Sequence, residues 1–239
     1  MAFQMNFQRK EIKFLLDQTQ LDLLLRKIGP EIVPDRFPHS SISNLYYDTP
    51  DFRLIRRSLE KPDFKEKLRL RCYQTPKANS DAFPEIKRKV EGIVYKRRSC
   101  LPYRQAADAL LRGDLPQDEQ VFREIRWMYR LYPGLRPAMF LSYERDSWQG
   151  REDPELRLTF DRDILWRTES LDLSKGAWGQ SLLRPDQILL EIKIPGAMPL
   201  WLARALSECG ICRTSFSKYG RAYETMLRQT ILQEGKKYA

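Results

Sequence analysis

Polar and apolar positions follow two periods along this chain. A period of two marks strands with one buried face. It runs through Gln8–Leu16, Ser40–Tyr47, Lys65–Tyr73, Phe83–Val90, Ile93–Leu101, Arg136–Trp148, Glu155–Phe160 and Gln187–Ile194. Glu91-Gly92 between two of these runs reads as a hairpin turn. Helical spacing predicts a helix over Gln20–Ile28, capped by Thr19 and ended by Gly29-Pro30. A second helix starts at Asp48-Thr49-Pro50-Asp51, with Pro50 as its first helical residue, and runs to about Leu59. Others cover Tyr103–Arg112, Glu119–Leu131 (ended by Pro133-Gly134), Leu200–Cys209 and Ser217–Leu232, and Glu169–Gln180 reads as a loop. With no internal repeat and no clear linker, residues 1–239 read as a single α+β domain.

Sorting the strands by face gives one recurring pattern. Lys67, Arg69, Arg71 and Tyr73 oppose Leu68, Leu70 and Cys72. Glu85, Lys87 and Lys89 oppose Ile86, and Arg9, Glu11 and Lys13 oppose Ile12 and Phe14. Arg157, Thr159 and Asp161 oppose Leu156, Leu158 and Phe160; Glu191 and Lys193 oppose Leu190, Ile192 and Ile194. Tyr143 and Arg145 alternate with Ser142 and Glu144. Cations dominate these polar faces, and like charges on neighbouring strands repel unless an anion offsets them. The apolar faces need covering, which the helices can supply. The expectation is a largely antiparallel eight-stranded β-barrel with a cationic interior, packed by surrounding helices.

The acids on these faces are spaced with purpose. Glu11, Glu85 and Glu191 each stand two residues before a lysine: Lys13, Lys87 and Lys193. One or two such carboxylates can hold a divalent ion that bridges phosphate oxygens. Glu11 and Glu85 fit equally well as metal ligands or as neutralisers of the neighbouring cations; Glu191 is the favoured ligand.

The net charge of +10 calls for an anionic partner: nucleic acid, a membrane surface or phosphorylated small molecules. No apolar run is long enough to span a bilayer, and the first residues lack a signal-peptide core, which leaves a cytoplasmic location as the expectation. Four cysteines, including the Cys209-x-x-Cys212 pair, read as free thiols. His39 is the single histidine, which excludes multi-histidine metal sites and leaves little room for histidine catalysis.

Eight short segments then come in a telling order: Arg9–Phe14, Tyr46–Thr49, Lys67–Arg71, Glu85–Lys87, Ser142–Arg145, Arg157–Asp161, Leu190–Lys193 and Phe216–Tyr219. Together, across nearly the whole chain, they resemble the VTC domain, the polyphosphate polymerase domain of the vacuolar transporter chaperone complex, within the triphosphate tunnel metalloenzymes. The resemblance implies a tunnel of antiparallel strands that binds ATP and transfers its terminal phosphoryl group to a growing polyphosphate chain, with Mn²⁺ or Mg²⁺ as cofactor. It places Lys13, Arg69, Arg71, Lys87, Tyr143, Arg145, Ser217 and Lys218 on phosphates, and Glu191 on the metal with Lys193 beside it. Arg57, Lys67, Lys96 and Arg157 join the substrate-binding set, and Glu11 joins Glu191 as a metal candidate. Ser217 also suits a helix N-cap, where backbone N–H groups meet a phosphate.

Two departures narrow the resemblance. Hydrolases of this superfamily usually begin with E-x-E-x-K, and Arg9 stands at the first glutamate position, which favours the polymerase branch. Fungal members carry an inositol-phosphate-sensing domain before this one and membrane helices after it. Neither is found in these 239 residues, so a membrane link calls for a partner protein. The competing readings are a triphosphatase of the same fold, a non-catalytic polyphosphate sensor and a nucleic-acid binder. The last calls for outward-facing basic residues with exposed aromatics, which the alternation with buried leucines and the interleaved glutamates oppose.

Overall fold

The structure, a computed structural model, describes residues 10–91, 93–116 and 119–237. Gln8 and Arg9 of the first predicted strand and Gly92 of the predicted turn lie outside the described residues. The chain runs β1 (Lys10–Asp17), α1 (Gln18–Ile28), β2 (Ile32–Asp48), α2 (Arg53–Leu59), β3 (Phe64–Tyr73), β4 (Asp81–Val90), β5 (Ile93–Arg98), β6 (Leu101–Pro102), α3 (Tyr103–Arg112) and α4 (Gln120–Leu131). It continues with β7 (Arg136–Gly150), β8 (Arg157–Arg167), β9 (Gln180–Ser181), β10 (Gln187–Ile194), α5 (Leu200–Glu208), β11 (Arg213–Thr214) and α6 (Lys218–Lys237). The architecture is α+β and dominated by antiparallel pairing, as the alternation predicts.

Among the described residues the strands pair in the order β11-β1-β10-β8-β7-β2-β3-β4-β5, with β6 on β4 and β9 on β8. This path is large and open, where the sequence pattern suggested eight strands closed into a barrel. Alternation reports which side of a strand is buried and carries no information on closure.

The residues group into two compact units. The first comprises the chain up to Ser41 with Tyr143–Ile164 and Leu183–Phe216; the second comprises Ile42–Ser142, Leu165–Leu182 and the chain from Ser217. In the first, Phe14 and Leu16 of β1, Leu158 and Phe160 of β8 and Leu190 and Ile192 of β10 form a core closed by Leu21, Leu24 and Ile28 of α1 and Leu202 and Leu206 of α5. In the second, Leu68, Leu70 and Cys72 of β3 and Ile86 of β4 pack under Ala106 and Leu110 of α3 and Phe122, Ile125 and Met128 of α4. Each fully buried leucine in these faces contributes about 2 kcal/mol. That burial fixes which strand face is left for the polar side chains.

Two helix starts differ from expectation. Asp17, not Thr19, caps α1: its carboxylate accepts from Gln20 N, while the Gln20 side chain accepts from Asp17 N. The second helix begins at Arg53, with Pro50 in the turn before it. Phe52 holds a left-handed φ of 57°, and the Asp48 carboxylate accepts from Leu54 N at 2.8 Å and Ile55 N at 3.0 Å. The cap thus comes from a strand end six residues upstream. The predicted loop at Glu169–Gln180 contains a 3-10 turn at Leu173–Lys175 and runs into β9.

Candidate functional site

In the second unit the polar face of β2, β3, β4 and β5 is set by register. Arg69 lies opposite Glu85, Arg71 opposite Phe83, Lys67 opposite Lys87 and Lys65 opposite Lys89. On β5, Arg98 lies opposite Glu85 and Lys96 opposite Lys87; on β2, Tyr46 faces Arg69 and Asn44 faces Arg71. Glu85 is only 1% exposed. Its carboxylate accepts from Arg69 Nε at 2.7 Å and meets Lys96 Nζ at 3.0 Å, with Arg71 Nε and Arg98 Nη1 each at 3.9 Å. Burial works against the Glu85 charge, but Arg69, Arg71 and Lys96 outweigh it and hold the carboxyl well below the usual range. Of the two roles open to Glu85, this geometry matches the neutraliser.

The same cluster acts on its cations. The Lys96 ammonium is pulled down to about 8 by desolvation, with Arg69 and Arg71 adding to the shift and Glu85 opposing it. Lys65 is lowered by burial and by Lys89, Lys61 and Lys87. Arg71 Nε donates to Asn44 Oδ1 at 3.0 Å, and Arg69 Nη1 donates to Tyr46 Oη at 3.2 Å. The Tyr46 ring stacks on Tyr219 with centroids 4.5 Å apart, and Tyr219 Oη donates to Asp48 at 2.8 Å.

Ser217 caps α6, accepting from Gly220 N at 3.2 Å, and its hydroxyl also accepts from Lys67 Nζ at 3.1 Å. A lysine at a helix N-terminus adds positive charge to the positive end of the helix dipole. Lys218 is the first residue of α6 and is half-buried. Arg57 is exposed on α2, its guanidinium 6.0 Å from the centre of the Phe64 ring.

The first unit carries a mixed cluster. On its sheet Glu11 lies opposite Lys193 and Lys13 opposite Glu191, while on the next strand Lys193 lies opposite Arg157 and Glu191 opposite Thr159. Lys13 Nζ meets Glu11 Oε1 and Glu191 Oε1, each at 3.1 Å, and donates to the Phe216 carbonyl at 3.0 Å. Arg145 grips Asp161 with Nε at 2.6 Å and Nη2 at 2.7 Å, and Nη2 reaches Glu191 Oε2 at 3.3 Å. Burial opposes the Arg145 charge, but Tyr143, Asp161 and Glu191 raise its pKa well above the usual value. The guanidinium lies 5.2 Å from the Tyr143 ring centre. Arg157 pairs with Asp35. An open cavity of about 400 Å³ beside Lys13 is lined by Glu11, Lys13, Arg213, Thr214, Ser215 and Phe216.

The metal candidates can be tested on this donor set. Among the described residues no group of three or more His, Cys, Asp or Glu side chains gathers as a metal cage. Glu11 and Glu191 do share Lys13, and two neighbouring carboxylates suit an ion of the Mg²⁺ type, which takes one or two protein oxygens and fills its shell with water and phosphate oxygens. His39 Nδ1 lies 2.9 Å from Asp146 Oδ1.

Arg98 and Asp161 carry more of the geometry than their sequence positions suggested. Arg98 continues the Lys96 face of β5 by simple alternation, a signal present in the sequence. Asp161 was sorted to the right face, but its bidentate hold on Arg145 depends on strand order.

A family model described as the VTC domain matches residues 8–227. The vacuolar transporter chaperone complex subunit 4 of Trypanosoma brucei brucei is 25% identical over 280 aligned residues, covering 94% of this chain. The chain spans 35% of the length of that curated relative. In three dimensions it resembles a putative adenylate cyclase from Bacillus halodurans, with a TM-score of 0.54 at 15% identity over 87% of this chain and 95% of the other. It also resembles a putative adenylyl cyclase from Hippeastrum, described as having a dominant triphosphatase activity, with a TM-score of 0.53 at 18% identity over 89% and 94% of the two chains. At these identities the two structures show a shared fold.

Proposed function

Because this chain belongs to the VTC domain family, we propose that it is a polyphosphate polymerase that transfers the terminal phosphoryl group of ATP to a polyphosphate chain. The observation that carries this reading is the sheet face of β3, β4 and β5. Arg69, Arg71, Lys96 and Arg98 gather about Glu85, and on the next rungs lysine stands opposite lysine. Like-charged cross-strand pairs are unfavourable alone and become favourable around a linear polyanion. The whole chain acts as a single VTC-type domain in this proposal.

Phosphoryl transfer asks a protein mainly for positioning and charge stabilisation. Arg69, Arg71, Lys87, Lys96, Lys67, Arg57, Ser217 and Lys218, with Lys13, Tyr143, Arg145, Arg157 and Lys193, hold the phosphates of ATP and of the acceptor. A terminal oxygen of the acceptor attacks the γ-phosphorus. The bond from that phosphorus to the β–γ bridging oxygen breaks, and ADP leaves with the electron pair. The arginines and lysines neutralise charge on the transferring group and on the leaving oxygen. Glu191, with Glu11, would hold Mn²⁺ or Mg²⁺, which supplies further charge neutralisation when bound. A cytoplasmic location and no nucleic-acid partner belong to the same proposal.

Incubation of the protein with ATP and Mn²⁺ is expected to give an acid-labile phosphate polymer that lengthens with time. Arg69→Glu should abolish both polymer formation and phosphate binding. Tight triphosphate binding by the unaltered protein with no polymer formed would overturn the polymerase reading.

A further inference from the structure

At one end of the cationic face of β3 and β4 the side chains change character. Tyr73 follows Arg71 on the same face, about 7 Å farther along the strand. It is 42% exposed. Phe83, opposite Arg71 in register, meets the Tyr73 ring edge-on with centroids 5.7 Å apart and planes at 77°. The Arg98 guanidinium lies 4.9 Å from the centre of the Phe83 ring, and its Nη1 is 3.5 Å from Tyr73 Oη and 3.9 Å from Glu85. Two aromatic rings and a planar guanidinium are thus grouped on a polar sheet face, next to Arg71 and the charges around Glu85. A large ring left 42% exposed on such a face gains little from core packing.

We propose that Tyr73, Phe83 and Arg98 form a stacking platform for the base of a nucleoside triphosphate, with its phosphates running along Arg71 and Arg69 toward Lys67 and Lys87. This rests on the reading of that face as a phosphate-binding surface and gives it a direction: nucleoside at the Tyr73 end, phosphate chain toward the lysine rungs. Aromatic rings and arginine attract any base through its π-face, since stacking makes no demand on the base edge. The platform therefore distinguishes a nucleotide from a bare phosphate chain and discriminates weakly among bases.

The test is titration calorimetry on the full chain with ATP, GTP and inorganic triphosphate. The unaltered protein should bind ATP and GTP comparably, and both more tightly than triphosphate. Tyr73→Ala should weaken ATP and GTP by about five- to a hundredfold and leave triphosphate within about twofold. Phe83→Leu, which keeps an apolar side chain on β4, should do the same if Tyr73→Ala fails to fold. Equal loss for all three ligands, or unchanged ATP affinity in folded variants, would overturn the platform. Tight triphosphate binding with ATP no tighter would overturn it while leaving the phosphate-binding face intact. Binding of none of the three would overturn that face and the platform together.

Discussion

Glu85 shows how one residue can set the character of a surface. Four cations lie within 4 Å of its carboxylate. A buried charge is tolerable only when paired, and each partner here is itself partly relieved by the pairing. Lys96 remains poised: its pKa sits at about 8, below the ordinary lysine value of 10.5. As pH rises through about 8 the folded protein loses this charge, so phosphate binding should weaken between pH 7 and 9. In Lys96→Met the slope should flatten, as measured by triphosphate affinity across that range. The sign for folding is opposite. Between about 8 and 10.5 the unfolded chain holds the proton more firmly, so the contribution of Lys96 to stability rises with pH across that window.

Elements explain what the sequence pattern could and could not reveal. The buried Leu68-Leu70-Cys72 side of β3 and its Lys67-Arg69-Arg71 side are read correctly because alternation follows from strand geometry alone. Which residue meets Glu85 depends on register, and no local pattern supplies that Arg69 and Arg98 both face it. The start of α2 was misplaced for a related reason. Asp48 ends β2, accepts from Leu54 and Ile55 at the start of α2, and accepts from Tyr219 Oη of α6. The signature residues Asp48 and Thr49 do cap this helix, Thr49 Oγ1 accepting from Arg53 N at 2.9 Å, but they stand five and four residues ahead of its first residue. Asp48→Ala should therefore cost about 2 kcal/mol or more in chemical denaturation, because it strands buried N–H groups at the helix start. A change within about 0.5 kcal/mol, the range of an ordinary surface substitution, would show that the cap is dispensable.

For the molecule as a whole, the fold class, the antiparallel sheet and the family were all legible in the order of eight short motifs. The closed eight-stranded barrel was an expectation that the open strand path does not bear out, because curvature and pairing at the sheet ends are tertiary properties. No helix of the described residues is long and apolar enough to cross a membrane. The net charge of +10, with its cations grouped on sheet faces, favours an anionic partner. What separates a polymerase from a triphosphatase on such a surface is the fate of the γ-phosphoryl group. The direct measurement follows ADP, free phosphate and polymer-bound phosphate together in one reaction with ATP and Mn²⁺. Each ADP formed should be matched by one phosphoryl group in the polymer, with little free phosphate. ADP matched by free phosphate, with no polymer, would contradict it.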